Sequence, residues 1–321
     1  MGRTIVGNTM DFSIPIPTDE KGFVGRECPD PECEGYFKIK FGTGLEGEGL
    51  PCHCPYCGFE GPMNQFWTKE QLEYIQSIVA GKVMDHTYHE LKKHEFDHKP
   101  KGQFGIGVSM KVQRPAPVLV RHYREQSLET EAVCDNCSLH YAVFGVFAFC
   151  PDCGQHNSLQ ILNKNLEVIS KMLDICEGID EEMSEKLMQN ALEDCVSAFD
   201  GFGREICRVN AAGSLDPAKA ENISFQNLEG ARRSLQATFG IDISTSVSEQ
   251  DWTLAVSGFQ KRHLLAHRMG VVDDEYLRKT SDPDAVVGRK ITIFRVEVST
   301  MLRVMQAVGE YIANSLDSTQ E

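Results

Sequence analysis

Cys134-Asp135-Asn136-Cys137, followed after twelve residues by Cys150-Pro151-Asp152-Cys153-Gly154, divides this chain into two kinds of sequence. Two close cysteine pairs joined by a short β-forming stretch can set four thiolates tetrahedrally around one zinc ion. Between the pairs, Ser138 to Phe149 is rich in Tyr, Val and Phe and reads as a short hairpin. Beyond Gly154 the chain turns predominantly helical and poor in cysteine, so the main boundary falls there. The expected fold is multidomain, with small β-rich zinc ribbons in the N-terminal half and an all-α antiparallel helical bundle after them. Residues 1–100 are assigned to a first ribbon plus a helical segment, 101–155 to a second ribbon with an extended segment, and 156–321 to the bundle.

The first ribbon rests on Cys28-Pro29-Asp30-Pro31-Glu32-Cys33 and, twenty residues later, Cys54-Pro55-Tyr56-Cys57-Gly58. Tyr36 to Phe41 reads as a strand that Gly42 and Gly44 turn back, supplying the hairpin between the pairs. Cys52 or His53 is an alternative to Cys54, but the Cys-Pro-x-Cys-Gly form favours Cys54 and Cys57, because glycine lets backbone amides approach the sulfurs. The expected ligands are thus Cys28, Cys33, Cys54 and Cys57 for one ion and Cys134, Cys137, Cys150 and Cys153 for the other. All eight thiolates are consumed, which leaves no open coordination position. Two structural Zn2+ ions and no catalytic metal are expected. Cys176, Cys195 and Cys207 lie in helical surroundings and read as small core residues.

The chain has 321 residues, 41% of them apolar, enough for more than one core. No stretch has the length and apolarity of a membrane span, and Met1 to Pro17 carries only Arg3 as a positive charge, unlike a secretory signal. Twelve cysteines without such a signal point to a reducing compartment, so a cytoplasmic protein without a membrane partner is expected. A formal charge of −15 argues against a general nucleic-acid coat protein. Lys82 to Glu125 stands apart, with nine Lys or Arg, five Asp or Glu and five histidines. Within it, His86, His89, His94 and His98, with Asp85 or Asp97, read first as a solvated face and otherwise as an RNA contact or a metal site. Thr68 to His98 has helical character, with Leu72, Ile75, Ile78 and Val79 as its apolar stripe. Gln103 to His122 reads as extended structure, broken by Pro115 and Pro117, that braces the second ribbon.

In the helical half, apolar residues recur from Leu159 to Cys176 and stop at Gly178; Asp180 opens a longer helix to about Ala211, bent near Gly201 and Gly203. Gly213 to Ser224 is a connector, and a short helix ends at Gly240. A last helix runs from Ile293 to Leu316. Ser248 is an N-cap signal and Gly270 a stop signal for the helix between them. That helix carries Arg262-His263-Leu264-Leu265-Ala266-His267. An imidazole can move protons near neutral pH, and a guanidinium can hold the non-bridging oxygens of a phosphate. On a helical wheel Trp252, Val256, Phe259 and His263 share one stripe, flanked by Arg262 and His267 about 140° apart. For Arg262 and His267 to meet on one phosphate, the arginine must fold across the stripe or a second copy of the helix must face the first.

A helical bundle whose penultimate helix carries Arg-polar-x3-His resembles the HEPN superfamily, over roughly Ser158 to Leu316. The resemblance implies a homodimeric, metal-independent endoribonuclease of the toxin or antiviral-defence kind, with the motifs of both protomers facing across the dimer. Arg262, His263 and His267 would be its catalytic residues and RNA its substrate, attacked by its own 2′-hydroxyl. The ribbons are then an added module for RNA, or for a protein partner or activator. The competing expectation is a non-catalytic zinc-ribbon adaptor whose bundle only dimerises, favoured by the balance of 17 basic against 26 acidic residues in 155–321. Zinc-dependent hydrolysis through His86 to His98 ranks lowest, because no His-Glu-x-x-His arrangement is present.

Overall fold

Residues 13–47, 49–98, 108–280 and 282–317 are described by the computed structural model. Most of the Met1 to Pro17 stretch, Gln103 to Gly107 of the extended segment and the side chain of His98 lie outside the described residues. The chain forms two compact units, Met1–Gln155 and His156–Glu321.

In the first unit every cysteine pair sits at a chain reversal rather than flanking a hairpin. Cys28 and Cys33 lie between β1 (Val24–Glu27) and β2 (Tyr36–Ile39), and Cys54 and Cys57 between β3 (Pro51–His53) and β4 (Glu60–Pro62). After α1 (Lys69–Lys92), β5 (Phe96–His98) and β6 (Val108–Met110), the second Cys-x-x-Cys falls between β7 (Thr130–Val133) and β8 (His140–Val143). The hairpins expected inside Tyr36–Gly44 and Ser138–Phe149 therefore do not form; each of those stretches supplies one strand. β2 pairs with β1 on one side and with β8 on the other, through Lys38↔Ala142 and Ile39↔Tyr141. The result is one antiparallel sheet in the order β1-β2-β8-β7. It takes strands from both ribbons, which the sequence reading places apart in 1–100 and 101–155, and joins them over one core of Phe37, Ile39, Phe66, Leu139, Tyr141 and Val143.

Thr68 caps α1 and exchanges bonds with Gln71 in a capping box. The buried face of α1 is Gln71, Tyr74 and Ser77, whereas Leu72 of the expected apolar stripe is exposed. The polar face is buried because it has partners. The Gln71 amide donates to Gly25 O (2.9 Å), and Ser77 Oγ accepts from Arg121 N (3.1 Å). Beside it Arg26, 2% exposed, lies under the rings of Trp67 (4.7 Å) and Phe41 (5.2 Å). Of the segment expected to brace the second ribbon, Arg121 and His122 pack on α1, Arg121 against Ser77 and Glu73 and His122 against Tyr74. Just beyond it Tyr123 packs edge-on to Tyr74, and Tyr36 Oη donates to Glu125. α1 ends at Lys92, so the histidine run is divided among helix, turn and β5.

The second unit is helical, with a core drawn from α2 (Ser158–Ile175), α3 (Glu181–Val209), α6 (Glu249–Arg268) and α8 (Arg295–Asp317). Between α3 and α6 lie α4 (Pro217–Ala220) and α5 (Leu228–Phe239), and α7 (Asp274–Thr280) follows α6. The caps fall where the sequence puts them. Asp180 accepts from Met183 N, Ser248 from Asp251 N, and Gly240 closes α5 in the left-handed region. α3 stays helical through Gly201 and Gly203. A Cβ at Gly203 would lie 2.4 Å from the Phe225 ring, so that glycine makes room for a neighbour. Among the described residues no helix is long and apolar enough to cross a membrane.

Candidate functional site

Two groups of four cysteines are assembled, Cys28, Cys33, Cys54 and Cys57 in one and Cys134, Cys137, Cys150 and Cys153 in the other. Within each group all sulfurs lie within 4.8 Å of one another. The closest approaches are Cys28–Cys57 at 3.6 Å, Cys33–Cys54 at 3.7 Å, Cys134–Cys153 at 3.7 Å and Cys137–Cys150 at 3.4 Å. A tetrahedron of sulfurs about 2.3 Å from a zinc ion has edges of about 3.8 Å, whereas a disulfide needs about 2.05 Å. The spacing therefore fits metal thiolates.

Local backbone chemistry builds each knuckle. Cys54 N donates to Phe59 O and Gly58 N to Cys54 O; Cys134 with Ser138, and Cys150 with Gly154, repeat the second bond. The residue after the second cysteine is left-handed in all four: Glu34 (φ 43°), Gly58 (74°), Ser138 (63°) and Gly154 (69°). Glycine meets that requirement at two of them without strain. Tyr56 N donates to Cys54 Sγ at 3.4 Å, orienting the sulfur. Burial pushes the Cys54 thiol up to about 12 and the Cys137 thiol to about 11. Thiols this close cannot all ionise unless a cation shares them, and a divalent ion supplies that charge.

Cys52 and His53 stand outside the group. Cys52 is fully buried with its thiol pushed up to about 12, and the His53 imidazole rests against Gly154 of the other knuckle. The two knuckles are bonded directly: His53 N donates to Pro151 O (2.8 Å) and Phe149 N to Pro55 O (2.9 Å). Among the described residues His86, His89 and His94 join no metal-holding group.

In the helical unit, Arg262, His263 and His267 line one cleft of about 620 Å³. The wheel angle of His263 is as expected, on the side of Trp252 and Phe259, but at that end of α6 no core covers it. His263 and His267 are exposed, and Leu264 turns inward instead. The imidazoles meet in a tilted contact one turn apart, with centroids 4.7 Å from each other. Arg262 is half-buried. Its Nε is shielded from water with no hydrogen-bond partner, and it has no ion pair among the described residues. The three side chains thus reach one space within a single chain.

The chain matches no family model, no curated protein and no solved structure.

Lys219 and Lys279 also line the cleft, Lys279 paired with Glu275 at 2.7 Å. Among the described residues no carboxylate lines it, although the surrounding unit carries 26 acidic against 17 basic residues over 155–321. A lining that carries cations suits an anion, with Glu275 beside Lys279 and His263 offsetting part of their charge. Phe259 lines the cleft, and behind it the core rings Phe225 and Phe259 meet Phe199 edge-on at 5.6 and 6.3 Å. Sequence reasoning missed Lys261, the neighbour of the motif. It is buried and bonded to Glu297 (2.6 Å) and Thr292 O (3.3 Å), fixing the motif helix to α8. A lysine inside an apolar period gives no signal of this until its acidic partner is located in the fold.

Proposed function

We propose that the protein is a metal-independent endoribonuclease of the HEPN type, with Arg262, His263 and His267 as its catalytic residues. The observation that carries this reading is the convergence of the three side chains on one cleft that, among the described residues, no carboxylate lines. RNA enters with a phosphate against Arg262. The substrate's 2′-hydroxyl loses its proton and attacks that phosphate, the bond to the 5′-oxygen breaks, and the 5′-oxygen leaves as a hydroxyl after taking up a proton. His267 serves as the general base or acid in this exchange, and Arg262 holds the charge of the phosphorane. His263, in tilted contact with His267, orients it. Arg262 makes no ion pair among the described residues, and a guanidinium without a protein carboxylate is free to take a phosphate through its terminal nitrogens.

The helical unit acts as an antiparallel bundle that pairs into a homodimer, in a chain of separate ribbon and bundle domains. The two cysteine groups hold structural Zn2+, and the ribbons engage RNA or an activating protein. A cytoplasmic defence or toxin role suits such an enzyme. The rival is a non-catalytic adaptor, favoured by the acidic surround of the cleft. A mixed RNA pool, incubated with the purified protein and its His267→Ala form in a chelator that spares structural zinc, separates the two. Loss of cleavage in the variant is expected, and equal cleavage by both would sink the assignment.

A further inference from the structure

Besides its cations, the cleft presents four carboxamides: Asn222, Gln226 and Asn227 on the stretch between α4 and α5, and Gln260 on α6. Three of them are held at one end by the protein. Asn222 Nδ2 donates to Ala218 O (2.8 Å), Asn227 Oδ1 accepts from Gly230 N (3.1 Å), and Gln226 Nε2 donates to Asp200 (3.3 Å). The other polar atom of each, and the whole Gln260 amide, make no bond to the protein among the described residues. A carboxamide fixed at one end and open at the other is a preorganised donor or acceptor, and fixing it beforehand lowers the entropic cost of binding.

The stretch is itself pinned from beneath. Asp200, 8% exposed on α3, accepts from Phe225 N at 2.7 Å, from Gln226 and from Arg204 Nε at 3.0 Å; Arg204 also donates to Ser224 Oγ at 3.0 Å. A buried carboxylate whose bonds converge on one loop fixes the shape of that loop.

We infer that this wall reads a nucleobase: Asn222, Gln226, Asn227 and Gln260 determine base specificity, and Asp200 is the positioning residue that holds Gln226 in place. The inference rests on the cleft being the RNA-cleaving site. Cations take the phosphate, and groups that both donate and accept match the mixed edge of a base, as asparagine and glutamine do elsewhere. The cleft is of small-molecule size, within roughly 300–1,000 Å³, so it takes a nucleotide rather than a duplex. The substrate class is single-stranded RNA, whose unstacked bases expose their edges.

The test measures binding of the four nucleoside 3′-monophosphates and of ribose 5-phosphate to the full chain by calorimetry, for wild type, Gln226→Ala and Asp200→Asn. The wild type is expected to prefer one base about tenfold or more. Both variants should flatten that preference while binding ribose 5-phosphate as before. Should Asp200→Asn fail to fold, Gln226→Ala and Asn222→Ala, which change partly exposed side chains, carry the test. Equal binding of all four nucleotides, no binding, or a preference that survives in the variants would overturn the inference. RNA cleavage without base preference would do so while leaving the nuclease standing; base-selective binding without cleavage would uphold the base-reading wall and defeat the nuclease.

Discussion

His263 and His267 sit one turn apart on α6 with their rings 4.7 Å from each other and tilted by 53°, both exposed to the cleft. Exposed side chains contribute little to folding, so this pair separates chemistry from stability. His263→Ala and His267→Ala should each leave unfolding within about 0.5 kcal/mol of wild type. His267→Ala should slow single-turnover RNA cleavage by about 100- to 10,000-fold, the usual worth of a general acid or base. Arg262→Lys should also be slow, because an ammonium cannot hold a phosphate bidentately. A destabilised fold with an intact rate would reverse the assignment.

The two cysteine groups should release metal together. The bonds between Pro151 and His53 and between Phe149 and Pro55 tie the knuckles, and both groups belong to one core. Elemental analysis should find two zinc ions per chain and one in Cys137→Ser. The ion remaining in Cys137→Ser should leave to a strong chelator faster than either ion leaves the wild type. Equal release rates would show that the groups are independent.

Gly203→Ala should destabilise the helical unit although alanine is the better helix former by about 1 kcal/mol. The new Cβ would lie 2.4 Å from the Phe225 ring, which is fully buried and cannot swing away. Overpacking of this kind costs about 1–3 kcal/mol. Thermal unfolding decides the sign, and a raised Tm would mean that the ring yields freely.

Acid should weaken the contact between His156 and Glu205. Burial alone would raise the Glu205 carboxyl, but the bonds from His156 and Arg208 outweigh it and hold it at about 2, below its ordinary 4.5. A carboxyl depressed by folding adds stability that is present above pH 4.5 and is lost as the pH falls toward 2. Glu205→Gln should therefore be less stable than wild type at neutral pH, and the gap should close on acidification through that window. Denaturant titrations at several pH values measure it.

Much of this was legible because it is local. Cysteine spacing chose the eight sulfurs, and cap residues such as Asp180, Ser248 and Gly240 set helix ends within a residue or two. What escaped is long-range. Nothing near Lys38 announces that it will pair with Ala142, a partner over a hundred residues away, so the two ribbons read as separate. α1 defeats the apolar-stripe rule because Gln71 and Ser77 are buried by partners such as Gly25 and Arg121 that the period cannot show. The stripe on α6 has the right angle for His263. Whether that angle meets core or cleft depends on where α5 and α7 end, which the helix itself does not encode.

The most direct measurement is the chemistry of the new RNA ends, mapped after a single turnover without added divalent metal. The account predicts a 2′,3′-cyclic phosphate on one fragment and a 5′-hydroxyl on the other, both absent with His267→Ala. Fragments ending in 3′-hydroxyl and 5′-phosphate would contradict it, since they require water rather than the substrate's 2′-hydroxyl as nucleophile.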